Sequence, residues 1–152
     1  EEKLDIMRDS HLGTFAVITL VLAVVARVAA LAALGGTETV FFALIAAGAA
    51  SRAGMVTAMV FLAPARSDGL GSEVGRASQR DAWVTGAIAA AASLPMLGIG
   101  PGIVLLAGAA CGTGAMIWLA RRHIDGQTGD VLGACQQAAE ILCLAALVAA
   151  LA

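Results

Sequence analysis

Charged residues are scarce in this chain. Asp, Glu, Lys and Arg make up 13% of its 152 residues, whereas hydrophobic residues make up 60%. About a quarter of the residues in a typical soluble domain are charged, so the composition argues against a soluble domain. Several apolar runs have the length of about 20 residues that is needed to cross a bilayer. We therefore predict an all-α integral membrane protein.

Paired cysteines and clustered aromatic residues are also missing. Cys111, Cys135 and Cys143 lie within apolar runs, without a C-x-x-C pair or a histidine at ligand spacing. This pattern favours free thiols buried in the membrane over a disulfide or a zinc site. Aromatic residues make up 4% of the chain, and no set of stacking aromatics accompanies the arginines. The sequence therefore does not support a nucleic-acid partner.

The chain also lacks an initiating methionine and a basic-then-apolar leader. It begins with Glu1, Glu2 and Lys3, so we predict no signal peptide. We expect that residue 1 is not the natural start and that the chain is a fragment of a longer protein.

Five apolar segments predict a polytopic transmembrane helix bundle that forms a single integral-membrane domain. The predicted spans are 14–34, 40–62, 82–97, 103–120 and 130–151. Three glycines and a proline between Gly98 and Gly102 predict a tight hairpin between the third and fourth spans. Small residues over Ala107–Ala115 form a small-xxx-small pattern, which favours close packing with other helices, from the rest of the protein or from a second copy in a homo-oligomer.

The basic residues predict an orientation for this bundle. With five spans, the N-terminal segment, the 63–81 connection and the 121–129 hairpin share one side, which holds seven of the nine Lys and Arg residues. The other two, Arg27 and Arg52, lie inside predicted spans. By the positive-inside rule, the basic side faces the cytoplasm and the C-terminus lies on the opposite side.

Two polar segments lead into predicted helices on the basic side. Arg8–Thr14 precedes the first span and Asp125–Asp130 precedes the fifth, and each contains a carboxylate, a hydroxyl and a glycine. Helix capping is one explanation. The alternative is a site where carboxylates hold Mg²⁺, while arginines such as Arg66 and helix N-termini hold a diphosphate. Phosphoryl transfer needs mainly positioning and charge neutralisation, which these residue types supply.

Charged and amide side chains inside the spans leave further alternatives open. Arg52 either pairs with Glu140 or reaches a substrate phosphate from inside the bundle, and Arg27 is expected to snorkel or pair. The path of a transporter or channel component could also be lined by Arg52, Gln136, Gln137 and Glu140. Because the dense polar motifs lie on one face of the membrane, the pattern favours an interfacial enzyme.

Four segments form an ordered series that resembles a known family. They are Ile6–Thr14, Ser51–Arg52, Arg66–Gly71 and Gly126–Ala134, with Glu140 downstream. The series resembles the C-terminal part of the cobalamin synthases, the adenosylcobinamide-GDP ribazoletransferases. The resemblance implies a multi-pass enzyme of the bacterial inner membrane that uses Mg²⁺ to join adenosylcobinamide-GDP and α-ribazole, giving adenosylcobalamin and GMP. A related Mg²⁺-dependent membrane phosphotransferase is the nearer alternative.

The resemblance also implies roles for individual residues. Asp9 and Asp130 are predicted as catalytic carboxylates that support the metal. The predicted substrate-binding residues are Arg8, Ser10, Arg52, Arg66, Gly126, Gln127, Thr128, Gly129 and Glu140. The family's motif of the type Asp-Gly-x-x-Asp-x-x-Asp-Gly is absent from these 152 residues. We therefore expect the main Mg²⁺ ligands in a missing N-terminal portion of the same protein.

Overall fold

The residues that the structure describes form a bundle of five α-helices. The structure is a computed structural model that describes residues 13–65 and 75–152. In chain order the helices are α1 (Thr14–Leu34), α2 (Thr37–Phe61), α3 (Gln79–Leu97), α4 (Ile99–His123) and α5 (Gly129–Leu151). Within these ranges the only β pairing is one isolated parallel bridge between Pro64 and Gln127. The predicted all-α fold with five helices is confirmed.

Four of these helices are long and apolar enough to cross a membrane, namely α1, α2, α4 and α5. The remaining helix, α3, has 19 residues and begins with Gln79, Arg80 and Asp81. Its length corresponds to about 28 Å at about 1.5 Å per residue, close to the hydrocarbon thickness of about 30 Å. The membrane helix bundle is therefore confirmed, while a crossing by α3 stays a prediction.

The beginning of α3 is fixed by a capping box. Ser78 donates from its main-chain N–H to Asp81 Oδ2 at 2.8 Å, and Asp81 N–H donates to Ser78 Oγ at 3.2 Å. These two bonds satisfy N–H groups that a helix start leaves without partners. They place the first turn of α3 three residues earlier than the predicted span.

Helices α4 and α5 pack with their backbones in contact. A Cβ atom added to Gly108 would lie 2.5 Å from the carbonyl oxygen of Leu142, and one added to Gly112 would lie 2.8 Å from Ala139 Cα. These two glycines are four residues apart and lie on one face of α4. The small-xxx-small pattern therefore brings α4 against α5 of the same chain.

The core between the helices is built mainly from small side chains. Alanines of α2 belong to one buried cluster with residues of α3, α4 and α5. The larger buried residues are leucines of α4 and α5. The cluster contains Ala43, Ala46, Ala47, Ala50, Leu105, Leu144 and Leu147. Alanine contributes little volume, so the helices approach closely, as is typical of membrane bundles.

Helix α1 lies at the periphery of the bundle and buries none of its residues. Phe15 is 87% exposed and Leu20 is 65% exposed. Helix α1 makes polar contacts with α5 through Arg27. The Arg27 guanidinium donates a hydrogen bond to Gln137 Oε1 and forms a salt bridge with Glu140. An apolar exposed helix of this kind is suited to a lipid environment.

The chain turns within the predicted Gly98–Gly102 hairpin, but the turn is shorter than predicted. Gly98, with φ of 85°, is the only residue between α3 and α4. Pro101 lies in the first turn of α4, where a missing N–H leaves no helical hydrogen bond unmade. Gly102 is buried against α3, because a Cβ there would lie 3.1 Å from the carbonyl oxygen of Ser93. The glycines therefore serve helix packing as well as the turn.

The three cysteines are free thiols. Cys135 and Cys143 are buried as predicted, but Cys111 is exposed. Cys111 lies within α4, which is long and apolar enough to cross a membrane, so its burial in the membrane stays a prediction.

Candidate functional site at the start of α5

The segment between α4 and α5 reverses the chain in a few residues. The N–H groups of Ile124 and Asp125 both donate to the carbonyl oxygen of Ala120 at 2.9 Å, which closes the last turn of α4. Asp125 has φ of 53°, a left-handed conformation that aspartate tolerates better than most residues. Thr128 then caps α5, because its Oγ1 accepts a hydrogen bond from Val131 N–H at 3.3 Å. The capping explanation is confirmed for this segment.

The same segment is hydrogen-bonded to the residues that follow α2. Gln127 N–H donates to the carbonyl oxygen of Ala63 at 2.7 Å, and Ala65 N–H donates to the carbonyl oxygen of Gln127 at 2.9 Å. Gly126 lies against this strand-like pair, and a Cβ at Gly126 would lie 2.8 Å from Ala63 O. Glycine is therefore required here by the neighbouring backbone. We call this part of the molecule, residues 61–65 and 121–130, the α4–α5 end.

The side chain of Gln127 points into the protein. It is 1% exposed, and its Nε2 donates to the carbonyl oxygen of Gly75 at 3.2 Å. Its Oε1 is buried and has no hydrogen-bond partner among the described residues. In this structure the amide of Gln127 joins the segment before α3 to the start of α5.

Two carboxylates are exposed at the α4–α5 end. Asp130 lies exposed in the first turn of α5, and Asp125 is exposed on the preceding turn. The positive end of the α5 dipole favours a carboxylate or another anion at Asp130. The described ranges contain no group of three or more His, Cys, Asp or Glu residues that could hold a metal ion. Mg²⁺ often takes only one or two protein carboxylates and completes its shell with phosphates and water, so Asp130 fits a supporting ligand.

Two arginines add positive charge to this end. Arg121 donates to the carbonyl oxygen of Phe61 at 3.1 Å, and its guanidinium carbon lies 5.8 Å from the Phe61 ring centroid. Arg122 lies over Trp118, with its guanidinium carbon 5.4 Å from the ring centroid. Both arginine side chains are exposed. Arg121 was not predicted as a site residue, although its position just before the polar turn is a usable signal.

The charged residues inside the spans pair differently from the prediction. Arg27 Nε lies 3.4 Å from Glu140 Oε1, and the two side chains are 19% and 21% exposed. Arg52 is exposed and donates to the carbonyl oxygen of Gly48, on its own helix, at 2.9 Å. Pairing of Arg27 is confirmed, and pairing of Arg52 with Glu140 is wrong. The reason is packing: Glu140 lies on the face of α5 that contacts α1, so the cation of α1 reaches it first.

The structure brings only part of the predicted site together. Gly126, Gln127, Thr128, Gly129 and Asp130 all lie at the α4–α5 end. Arg52 and Glu140 lie nine and ten residues from Phe61 and Asp130 along their helices, which corresponds to about 15 Å at about 1.5 Å per residue. Arg8, Asp9, Ser10 and Arg66 lie outside the described residues.

A groove of about 340 Å³ runs between α2, α3 and α4. Its lining is mainly alanine, glycine and threonine, with Phe61 and Ile117 among the larger side chains. None of the predicted site residues that the structure describes lines it. The groove and the α4–α5 end therefore share Phe61 and no charged residue.

The chain is similar to one family over nearly its whole length. A family model described as cobalamin-5-phosphate synthase matches residues 1–148. The adenosylcobinamide-GDP ribazoletransferase of Bradyrhizobium diazoefficiens is 42% identical over 146 residues, which cover 95% of this chain and 55% of that protein. Proteins with the same name from Mesorhizobium japonicum and Allorhizobium ampelinum are 42% and 37% identical and cover 93% and 99% of this chain.

The relatives are longer than this chain. It spans 55% of the Bradyrhizobium diazoefficiens protein, 54% of the Mesorhizobium japonicum protein and 61% of the Allorhizobium ampelinum protein. No solved structure matches the chain significantly.

Proposed function

The chain belongs to the cobalamin-5-phosphate synthase family, and from this we propose that its protein joins adenosylcobinamide-GDP and α-ribazole to give adenosylcobalamin and GMP. The observation that carries the proposal is the 42% identity to a ribazoletransferase over 95% of the chain. Because the chain spans 55% of that relative, the activity is proposed for the whole protein to which these residues contribute.

In the proposed reaction a ribose hydroxyl attacks the corrinoid-side phosphorus of the diphosphate. A new P–O bond forms, the bond from this phosphorus to the bridging oxygen breaks, and GMP leaves with that oxygen and its electron pair. The hydroxyl proton passes to a base, for which the carboxylates Asp9 and Asp130 are our candidates. Catalysis of this kind depends mainly on positioning and on neutralising phosphate charge.

The α4–α5 end supplies several groups of the required types. Asp130 is exposed at the N-terminus of a 23-residue helix, where unpaired N–H groups favour phosphate oxygens. Arg121 and Arg122 are exposed at the end of α4. We propose that these arginines join Arg8, Ser10 and Arg66 in holding the diphosphate, and that Gly126, Gly129 and the backbone of Thr128 bring the start of α5 against it. Arg52 and Glu140 would act deeper in the membrane.

Magnesium is part of the proposal. Asp9 and Asp130 would hold Mg²⁺ from this chain, and the bound ion would neutralise the diphosphate. The main ligands are proposed in the remaining part of the protein. We further propose a location in the bacterial inner membrane with the α4–α5 end toward the cytoplasm, since seven of the nine basic residues lie on that side of the predicted topology.

The proposal is tested with the whole protein in detergent or membranes with Mg²⁺. Adenosylcobinamide-GDP and α-ribazole are supplied, and GMP and the corrinoid product are followed. We expect product from the wild type and a loss of about 100-fold or more in kcat for Asp130→Asn, the order typical of a lost catalytic acid or base. A folded wild type that yields no product would contradict the proposed function.

A matched control is available at the other end of the bundle. Glu38 is also an exposed carboxylate in the first turn of a helix, α2. Glu38→Gln removes the same charge from an equivalent position without touching the α4–α5 end. We expect its kcat to stay within about twofold of the wild type, and an equal loss in both variants would remove the support for Asp130.

A further inference from the structure

Gln127 joins three parts of the chain that are distant in sequence. Its main-chain N–H and carbonyl pair with Ala63 and Ala65, just after α2. Its side-chain Nε2 donates to the carbonyl oxygen of Gly75, in the segment that leads to α3. Thr128, the next residue, caps α5. The exit of α2, the approach to α3 and the start of α5 therefore meet at this one residue.

The side-chain bond is the part of this junction that depends on residue type. Any non-proline residue could make the two main-chain bonds to Ala63 and Ala65, but the bond to Gly75 needs a long side chain with a donor. Gly75 has φ of 71°, a left-handed conformation that glycine adopts without strain. The junction thus combines a flexible glycine on one side with a buried amide on the other.

The burial of Gln127 shows that its amide is not there for packing. The side chain is 1% exposed, and its Oε1 has no hydrogen-bond partner within residues 13–65 and 75–152. A buried acceptor without a donor is costly. The favourable contact that the amide makes is the bond from its Nε2 to Gly75.

We infer that Gln127 is a positioning residue for the proposed reaction and does not contact the substrate. Its amide fixes the segment before α3 against the start of α5, and Asp130 follows three residues later in the first turn of that helix. The kinetic effect of this role rests on the proposed function. The structural consequence, that Gly75 is held by Gln127, stands independently of any activity.

The structural part is tested by proteolysis of the whole protein in detergent. Arg76 is exposed and directly follows Gly75, so trypsin cleavage after Arg76 reports release of this segment. Gln127→Met and Gln127→Glu both keep the length of the side chain and remove its donor. We expect cleavage to be about tenfold faster in both variants, on the order of the effect of one lost hydrogen bond.

The matched control is Gln136→Met. Gln136 is a partly buried glutamine of α5, in a turn of the helix that lies away from Gly75. Its cleavage rate after Arg76 should stay within about twofold of the wild type. Unchanged cleavage in both Gln127 variants would overturn the inference. So would loss of the helical circular dichroism in both variants, because Gln127 would then be required for folding.

The kinetic part separates positioning from substrate contact. For Gln127→Met and Gln127→Glu we expect kcat to fall by about tenfold or more while KM for both substrates stays within about twofold, since binding groups remain and only their alignment changes. A raised KM at unchanged kcat would make Gln127 a substrate contact. Unchanged kinetics with faster cleavage would make the bond purely structural. Either result overturns the positioning role.

Failure of the proposed function would be recognised separately. If the folded wild type forms no product, the ribazoletransferase proposal fails and the positioning role fails with it. The cleavage after Arg76 would still show whether Gln127 holds Gly75.

Discussion

Single residues inside the spans show which contacts sequence patterns can predict and which they cannot. The sequence predicts that Arg27 needs a partner, because an ionised group in an apolar span is costly. It does not identify the partner, which lies 110 residues later in the chain. The same limit applies to Arg121 and Phe61, 60 residues apart, and to Gln127 and Gly75, 52 residues apart. Such pairs depend on which helices pack together, and residue patterns within one segment do not contain that information.

Arg27→Met should destabilise the bundle, because it leaves the carboxylate of Glu140 without its cation. We expect the free energy of unfolding in detergent to fall by about 2–3 kcal/mol, the order of the cost of an unpaired charge in a membrane. Arg27→Met with Glu140→Met should recover part of this loss. Chemical unfolding followed by circular dichroism measures both.

The control for this prediction is Arg52→Met. Arg52 donates only to Gly48 on its own helix, so its removal breaks no contact between described helices. We expect a change in unfolding free energy of less than about 0.5 kcal/mol. An effect as large as that of Arg27→Met would mean that charge itself, and not the pairing with α5, determines stability.

At the scale of helices, apolar periodicity was sufficient to predict all five elements. The predicted bounds differ from the observed ones by a few residues, for example at Thr37, where α2 begins. The Gly98–Gly102 turn was predicted too long because glycine and proline usually mark loops. In the structure Pro101 lies in a first helical turn and Gly102 contacts α3. Long-range packing decided what these residues do.

Gly112→Ala should weaken the contact of α4 with α5. A Cβ at Gly112 would lie 2.8 Å from both Ala139 N and Ala139 Cα, and backbone cannot move aside as a side chain can. We expect a loss of about 1–3 kcal/mol in unfolding free energy. Gly114→Ala is the matched control on the same helix, because a Cβ there meets nothing within 4 Å. It should leave stability unchanged or raise it slightly, and equal effects would refute the packing argument.

At the scale of the whole molecule, the described polar site lies at one end of an apolar bundle. The sequence predicted the polar turn and offered helix capping as one explanation of it, and the structure identifies Thr128 as the cap and Asp130 as exposed. It did not give the attachment of this turn to Ala63 and Ala65, because a parallel bridge joins segments with no shared pattern. The predicted contributions of Asp9 and Arg66 lie outside the described residues.

In the proposed orientation the start of α2 and the end of α4 face opposite sides of the membrane. Residues at these two places should therefore differ in their accessibility to a reagent outside the cell. In a background where the three cysteines are replaced by serine, Thr37→Cys and Asp125→Cys are treated in whole cells with a membrane-impermeant maleimide. We expect Thr37→Cys to be modified in intact cells and Asp125→Cys only after permeabilisation. Both positions are exposed, so modification from the same side in both variants would contradict the proposed topology.

The pair formed by Arg27 and Glu140 also has a consequence for the synthesis of the protein. During synthesis α1 is made first, and Gln137 and Glu140 follow about 110 residues later. At roughly 5–20 residues per second, about 5–20 s pass between the synthesis of Arg27 and the synthesis of its acceptors. The 18-residue window of α1 that qualifies it as a membrane span has a mean hydropathy of 2.6, which favours insertion of the helix in spite of the charge. Among the described residues, the guanidinium in or near the bilayer therefore meets these acceptors only once α5 has been made.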